Sequence, residues 1–324
     1  MTIDKSVFIP ATPDEAFALI TQPERLRRWQ TVAARVDLRV GGDYRWTITP
    51  GHSAAGTFTE IDPGKRVVFT WGWEGAAAPA DLSTVTITMD AVDGGTTVRL
   101  VHEGLGAGEE AGHTEGWNHF LDRLVALATT GDAGPDTWSA TPDPINELIS
   151  AEATLAIAQR VLRTLTTADM DQPTPCEDFT VSGLVEHLIG SVTRIAKALG
   201  LAIAVDPAAA PETRLADAAQ PTLEAFQARG LEGTIDMGFA ELPATIVANI
   251  LNLEFLVHAW DFATATGREL DVAPALSGYV LDLARNTISP QMRGSSFAEE
   301  TLVDESAANM DRLVAFTGRQ TTSA

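Results

Sequence analysis

The hydrophobic residues change their period once along the chain, and this change restricts the possible folds more than any other feature. Segments such as "DYRWTIT", "RVVFTWGW" and "STVTITMDAV" alternate between apolar and polar residues in the first third of the sequence. This alternation predicts half-buried β-strands, and the Gly-Gly and Pro-Gly pairs between the segments predict turns. From about residue 144 the apolar residues recur with helical spacing. We therefore predict an α+β domain followed by an all-α domain.

The length and the local composition place the boundary between these two domains. The chain has 324 residues, which is more than a single hydrophobic core usually supports. The segment "GDAGPDTWSATPDP" is rich in Gly, Pro, Asp and Thr, so we predict a linker over 131–143. The domains then span 1–130 and 144–324. Helices are predicted in the second domain at about 144–167, 180–199, 211–229, 243–266, 273–288 and 305–317.

The charge of the chain excludes several classes of partner. The formal net charge is −22 and the pI is about 4.5, whereas nucleic acids and anionic membrane surfaces select basic patches. No apolar run is expected to span a bilayer, and the N-terminus has no signal-peptide pattern. The single cysteine, Cys176, excludes an internal disulfide framework and is typical of a reducing compartment. We expect a cytoplasmic protein that binds neither nucleic acid nor membrane.

The first domain begins with a strand and two short helices, in which Thr12 is predicted to cap the first helix and Glu15 to complete a capping box. Five strands and a long helix at about 112–128 follow. An antiparallel sheet must wrap around such a helix to bury both apolar faces, which commonly leaves a cavity. The segments "IPATPDEAFALITQPERLRRW", "GTFTEIDPGKRVVFTWGW" and "GWNHFLDRLVAL" resemble the SRPBCC superfamily, which has the START-like, helix-grip fold. They are most similar to its branch of heat-shock-protein-ninety ATPase activators. The resemblance implies the fold but leaves the function open, because this fold serves many functions.

Three histidines of the first domain, His102, His113 and His119, have no spacing typical of a metal site. We interpret His102 as a packing residue at a strand end and His113 as a loop cap. The tryptophans Trp46, Trp71 and Trp73 are interpreted as sheet core or cavity wall rather than as a base-stacking surface.

The segment "LNLEFLVHAWDFATAT", residues 251–266, is apolar except for three titratable residues on one side. At about 100° per residue, Glu254, His258 and Asp261 lie within about 60° of one another on a helix. Their neighbours are large and apolar, so this stripe must face something that satisfies its polar groups. The spacing Glu254-x-x-x-His258 also allows a carboxylate oxygen and an imidazole nitrogen to bind one cation.

A metal site on this helix needs a third ligand, and His187 is the only other histidine in the second half. It lies at the flank of the apolar face of a predicted helix, where it can reach a neighbouring helix. A His–Glu–His set leaves one open position on tetrahedral Zn²⁺, as in catalytic zinc sites, and Asp261 could orient His258. The alternative is a buried hydrogen-bond network without metal. It requires a cationic partner for Glu254, and the nearest one downstream, Arg268, should lie beyond the helix end.

The segments "TPCEDFTVSGLVEHLIG", "AELPATIVANILNLEFLVHAWDFATATGREL" and "NMDRLVAFTGR" resemble the DinB-like four-helix-bundle family, in the branch that contains mycothiol-dependent maleylpyruvate isomerase. This resemblance implies that His187, Glu254 and His258 bind a divalent metal, usually zinc. It also implies that the metal activates the thiol of mycothiol, which attacks an electrophile. The chain ends soon after the bundle, without the further domain of the isomerase, so maleylpyruvate itself is not the expected substrate.

Cys176 precedes a helix that Thr180 is predicted to cap, where a thiol can have a lowered pKa and could be a fourth metal ligand. We favour the interpretation that it is a packed loop residue. The sequence thus predicts an enzyme that uses a divalent metal and a small thiol for isomerisation or S-transfer on a small electrophilic, hydrophobic substrate. The alternative is a non-catalytic ligand-binding or stress-related protein with a structural metal. The oligomeric state, including a homodimer, stays open.

Overall fold

The computed structural model describes residues 2–75, 82–294 and 297–321. The chain divides into two compact units, Met1–Asp136 and Thr137–Ala324. The division falls within 131–143, the segment whose composition indicates a linker. Part of this segment is helical, because a short helix covers Thr137–Ala140.

The first unit is built on an antiparallel sheet of seven strands, as the predicted α+β class requires. In chain order the strands are β1 (Thr2–Ile9), β2 (Ala33–Val36), β3 (Asp43–Thr49), β4 (His52–Asp62), β5 (Arg66–Trp73), β6 (Ser83–Val92) and β7 (Gly95–Glu103). Their spatial order is β1-β7-β6-β5-β4-β3-β2, so each strand from β2 to β7 pairs with its neighbour in sequence. β1 lies at one edge of the sheet and pairs with the last strand, β7.

Three helices complete the first unit: α1 (Pro13–Thr21), α2 (Pro23–Leu26) and α3 (Glu110–Thr130). The Thr12 hydroxyl caps α1 by accepting a hydrogen bond from the Glu15 amide at 3.2 Å. The predicted capping box is incomplete, because the Glu15 carboxylate forms an ion pair with Arg25 of α2. A guanidinium partner makes a stronger, charge-assisted hydrogen bond than the backbone amide would.

The core of the first unit lies between α3 and the sheet. The helix buries five side chains, and the sheet provides five aromatic ones: Trp117, Phe120, Leu121, Leu124 and Leu127 from α3, and Tyr44, Trp46, Phe58, Phe69 and Trp71 from β3 to β5. The predicted helix-grip arrangement is confirmed.

The second unit is helical. Its elements are α4 (Thr137–Ala140), α5 (Glu147–Thr164), α6 (Val181–Ala198), α7 (Pro211–Arg229), α8 (Ala244–Ala265), α9 (Pro274–Thr287) and α10 (Asn309–Phe316). Helices α5 to α8 pack against one another as a four-helix bundle, and α9 and α10 pack on α8 and on each other. A small hairpin of β8 (Thr234–Asp236) and β9 (Glu241–Pro243) precedes α8.

Helix α8 is the central element of this bundle. Its 22 residues are long and apolar enough to cross a membrane by length and composition alone, so the expectation that no apolar run reaches that length is wrong. Of the tested window, 78% is buried inside the structure. This burial is typical of the core helix of a bundle.

Candidate metal centre

Helix α8 presents Glu254, His258 and Asp261 on one side, as the helical spacing predicts. Asp261 is completely buried and His258 is 7% exposed, while the side chain of Glu254 is 16% exposed. Flanking apolar residues such as Phe255 and Phe262 are fully buried in the core of the unit. Apolar packing on both sides therefore fixes the direction in which the polar stripe points.

Helix α6 supplies His187 from the opposite side. Thr180 caps this helix by accepting a hydrogen bond from the Gly183 amide at 3.3 Å. The apolar face of α6, which includes Leu184 and Leu188, is buried, and the imidazole of His187 stands beside it. The ring of Phe179 packs against this imidazole at a centroid distance of 5.0 Å.

The structure brings the three predicted ligands together. Glu254 Oε2 lies 3.6 Å from His187 Nε2 and 3.5 Å from His258 Nε2. One ligand atom of each residue lies within 4.8 Å of those of the other two. The two imidazole rings are nearly perpendicular, with an interplanar angle of 89° and a centroid distance of 5.2 Å. Three donors from two helices thus face one small volume.

Asp261 orients the ring of His258. Its Oδ2 accepts a hydrogen bond from His258 Nδ1 at 2.9 Å, so Nδ1 carries a proton and Nε2 is the atom directed to Glu254. The Arg319 guanidinium holds Asp261 in turn, donating from Nη2 to Oδ2 at 2.9 Å and from Nε to Oδ1 at 3.2 Å. A carboxylate that fixes the orientation of an imidazole is the usual support of a metal-binding histidine.

The titratable groups of the cluster shift one another's pKa values. Burial lowers the pKa of His258, but Asp261 and Glu254 outweigh burial and raise it to about 9. Burial lowers the pKa of His187. Burial favours the neutral form of Glu254, yet interaction with His258 and His187 lowers its pKa. The cluster therefore holds an ionised carboxylate together with one imidazole that readily accepts a positive charge.

The donor set fits a divalent metal on two observations. Glu254 Oε2 is buried and has no hydrogen-bond partner among the described residues, although a buried carboxylate oxygen normally requires one. Its distances of 3.5 and 3.6 Å to the two imidazole nitrogens are close to the separation of about 3.3 Å between two ligands of tetrahedral zinc. A metal bound there would displace the proton from His258 Nε2 and bind Glu254 Oε2.

Cys176 does not join this group. The described residues contain one cluster with metal-ligand geometry, and it consists of His187, Glu254 and His258 alone. The thiol is half-buried beside the core of the unit. Burial raises the pKa of Cys176, which is opposite to the lowered pKa of the less favoured alternative, a reactive thiol at a helix N-terminus. The interpretation of Cys176 as a packed loop residue agrees with this environment.

The histidines of the first unit have structural partners. His102 is completely buried, accepts a hydrogen bond at Nδ1 from Trp117 Nε1 at 3.0 Å, and lies 2.7 Å from Ser83 Oγ through Nε2. Burial lowers the pKa of His102 to about 3. His113 accepts from Trp73 Nε1 at 3.2 Å, and His119 lies 2.8 Å from Asp136. The structure agrees with the interpretation of His102 as a packing residue.

Sequence reasoning missed two residues of the cluster, Arg319 and Ser191. Arg319 lies 58 positions beyond Asp261, so no local spacing indicates their pairing. Ser191 lies one turn after His187 on α6 and is among the groups that lower the pKa of Glu254; its place on the same helix face was an available signal. Arg268, the nearest cation downstream of Glu254, pairs with Asp169 at 2.9 Å.

Each unit matches a known protein family. The model of the family described as Activator of Hsp90 ATPase homolog 1-like protein matches residues 10–129. The model described as Mycothiol maleylpyruvate isomerase N-terminal domain matches residues 151–263. The second match contains the three clustered residues and Asp261, whereas Arg319 lies beyond it.

Individual proteins are similar to parts of the chain. An uncharacterised protein of Mycobacterium tuberculosis is 33% identical over 153 residues, which cover 45% of this chain and 83% of that protein. An HSP90 activator from Plasmodium falciparum is 25% identical, with a TM-score of 0.35 over 39% of this chain and 95% of that one. The Aha1 dimer from Colwellia psychrerythraea is 21% identical, with a TM-score of 0.37 over 40% of this chain and 98% of that one.

Proposed function

Because the chain joins a member of the Activator of Hsp90 ATPase homolog 1-like family to a member of the mycothiol maleylpyruvate isomerase N-terminal domain family, we propose that it is a divalent-metal-dependent enzyme. It uses a small thiol, such as mycothiol, for isomerisation or S-transfer on a small electrophilic molecule. Zinc is the proposed metal, and the cytoplasm, where thiols stay reduced, is the proposed location.

The observation that carries this proposal is the position of Glu254 Oε2, which lies between two imidazole nitrogens and has no hydrogen-bond partner among the described residues. In this proposal His187, Glu254 and His258 hold the metal, and Asp261 keeps His258 in the required tautomer. Bound zinc would lower the pKa of a thiol at its remaining position and supply the thiolate. Among the described residues no fourth side chain joins the cluster, and an open position favours a catalytic over a structural metal.

The reaction class follows from the nucleophile. The thiol sulfur forms a bond to an electrophilic carbon, and the thiol proton goes to the atom that receives the electron pair. In isomerisation the carbon–sulfur bond breaks again after rotation of the substrate, whereas in S-transfer it stays. The exposed part of His187, 31% of its side chain, leaves this side of the cluster open to such molecules.

Metal content tests the site directly. Protein purified without a histidine tag and reconstituted with zinc is expected to hold about one equivalent by mass spectrometry. His258→Ala should lose the metal, while the matched control His113→Ala in the first unit should keep it. Equal zinc in both variants, or none in the wild type, would exclude the proposed site.

A second candidate function is non-catalytic ligand binding by the first unit. Trp46 and Trp71, on β3 and β5, are 1% and 5% exposed, and their ring centroids lie 6.2 Å apart. Both indole N–H groups are buried without a hydrogen-bond partner among the described residues. Two such donors would suit an apolar ligand that carries one hydrogen-bond acceptor.

Two probes with the same aromatic rings separate this candidate from general hydrophobic binding: 2-acetylnaphthalene carries a carbonyl acceptor, and naphthalene carries none. If the indole N–H groups bind the carbonyl, 2-acetylnaphthalene should quench tryptophan fluorescence at lower concentration than naphthalene. Trp71→Phe, which removes the donor and keeps an aromatic ring, should reduce this difference. Equal binding of both probes to the wild type would argue against the candidate.

A further inference from the structure

Arg194 lies on the same side of α6 as the metal-site residue His187. With about 100° per residue, Ser191 is about 40° from His187 on one side and Arg194 about 20° on the other. The three residues therefore form one stripe, and Arg194 is its exposed member.

The side chain of Arg194 folds back along α6 towards His187. Its Nη2 donates to Ser191 Oγ at 2.8 Å. Its Nη1 lies 3.5 Å from the place that a Cβ on Gly190 would occupy. The guanidinium therefore lies against the helix at Gly190, and the serine fixes its position. The hydrogen bond to Ser191 thus holds the guanidinium on the side of α6 that carries His187.

The charge of Arg194 is not neutralised within the part of the chain that the structure describes. Its only polar partner there is the Ser191 hydroxyl, although the chain has a net charge of −22. Arg214, which packs on the same helix, instead forms a two-pronged ion pair with Glu186 at 2.6 and 2.7 Å.

The open side of the cluster is the side that carries Arg194. The side chain of His187 is 31% exposed, that of Glu254 16% and that of His258 8%. A molecule that approaches the three ligand atoms from solvent therefore meets α6 first. Most N–H donors of the Arg194 guanidinium have no partner among the residues that the structure describes and can bind it, in a geometry that matches a carboxylate.

We propose that Arg194 is a specificity-determining residue that binds a carboxylate of the molecule reacting at the metal site. This inference rests on the proposed function, because it assumes that a ligand binds at the metal. It assigns a chemical class to the metal-bound thiol: an anion with a carboxylate a few bonds from its sulfur, a group that mycothiol lacks. An uncharged molecule of the same size lacks the contact and binds less tightly.

Two thiols that differ in one group test this assignment on the full chain loaded with Co²⁺ in place of zinc. 3-Mercaptopropionate carries a carboxylate, and 2-mercaptoethanol carries a hydroxyl instead. Binding of either sulfur to cobalt is followed by its thiolate-to-cobalt absorption band, which requires no turnover. We expect the carboxylated thiol to bind about ten-fold more tightly to the wild type, the effect of one charge-assisted contact.

The variant Arg194→Gln should bind both thiols alike, with 2-mercaptoethanol affinity and cobalt content unchanged. Lys197→Gln, an exposed cation on the same helix outside the stripe, removes the same charge and should keep the preference. No preference in the wild type, or a preference that survives in Arg194→Gln, would refute the role of Arg194 and leave the metal–thiol proposal intact. If neither thiol gives an absorption band, the proposed function itself is wrong, and the assignment is refuted with it.

Discussion

Asp261 is completely buried, and two cationic side chains stabilise its charge. Burial favours the neutral acid, but the hydrogen bond from His258 and the charge of Arg319 lower its pKa. The carboxylate connects them: it fixes the His258 ring at Nδ1, while Arg319 holds both of its oxygens. Arg319 itself is held by donating to the Thr317 carbonyl at 3.1 Å. The direction of His258 Nε2 therefore depends on a residue near the end of the chain.

Replacing Asp261 with Asn should weaken zinc binding without removing any of the three metal ligands. The amide accepts less strongly from His258 Nδ1 and leaves Arg319 without an anionic partner, so we expect a loss of about 10- to 100-fold in affinity. Competition with a chelator measures the change, and circular dichroism checks that the variant is folded. Asp282→Asn, at an exposed residue of α9 that pairs with Arg285, is the matched control. Equal zinc affinity in the two variants would contradict a positioning role of Asp261.

At the scale of single residues, the sequence predicts which side chains share one face of the same helix. Glu254, His258 and Asp261 are recognised because four- and three-residue steps return to the same face of α8. His187 could be added to this group only because it is the one other histidine in the second half of the sequence and because the family resemblance implies it. Arg319 could not be predicted in this way, because its pairing with Asp261 depends on the path of the chain after α9. The environment of Cys176 likewise follows from packing and not from its distance to the next helix.

His187 lies about two turns after the first residue of helix α6. The hydrogen bonds that fix the N-terminus of this helix therefore help to position His187. The Thr180 hydroxyl satisfies the Gly183 amide, one of the free donors of the first turn. Thr180→Ala should therefore lower the free energy of unfolding of the second unit by about 1 kcal/mol. Chemical denaturation followed by the helical circular dichroism signal measures this loss.

Two further variants identify the cap as the cause. Thr180→Ser restores a hydroxyl and should recover most of the stability. Thr264→Ala, at an exposed position inside α8, removes a threonine that caps no helix N-terminus and should have little effect. If Thr180→Ala and Thr264→Ala were equally stable, the hydrogen bond to Gly183 would contribute nothing measurable.

At the scale of elements, length decides what the sequence predicts. The prediction of 211–229 coincides with α7, Pro211–Arg229, because a proline at its first residue and a glycine after its last one mark the ends. Most long strands were likewise indicated by alternation over six to ten residues. β2 and the β8–β9 hairpin were missed, because three or four residues do not establish a period. These elements depend on the partner strands that the fold supplies.

The whole molecule contains separate cores in its two units, and one buried histidine in each responds differently to pH. The pKa of His102 is lowered to about 3 by burial, followed by the charge of His113. Because the folded unit keeps His102 neutral, the contribution of this residue to stability is complete above about pH 6.5. It declines as the pH falls towards 3, because the unfolded chain then binds a proton that the folded unit does not. The pKa of His258 is raised to about 9. Its contribution to the metal-free second unit is therefore complete below about 6.5 and is lost as the pH rises through 9.

Thermal unfolding of the metal-free full chain should show this opposition. Between pH 7.5 and pH 5, His102 alone should lower the free energy of unfolding of the first unit by about 2 kcal/mol, whereas His258 adds stability to the second unit. Calorimetry should resolve two transitions that move apart or cross with pH, and zinc should raise only the transition of the second unit. His102→Gln should flatten the acid response of the first transition, and His52→Gln, at an exposed residue of β4, should leave it unchanged. If both variants kept the same slope, the buried Trp117–His102–Ser83 contacts would not be what makes the first unit sensitive to acid.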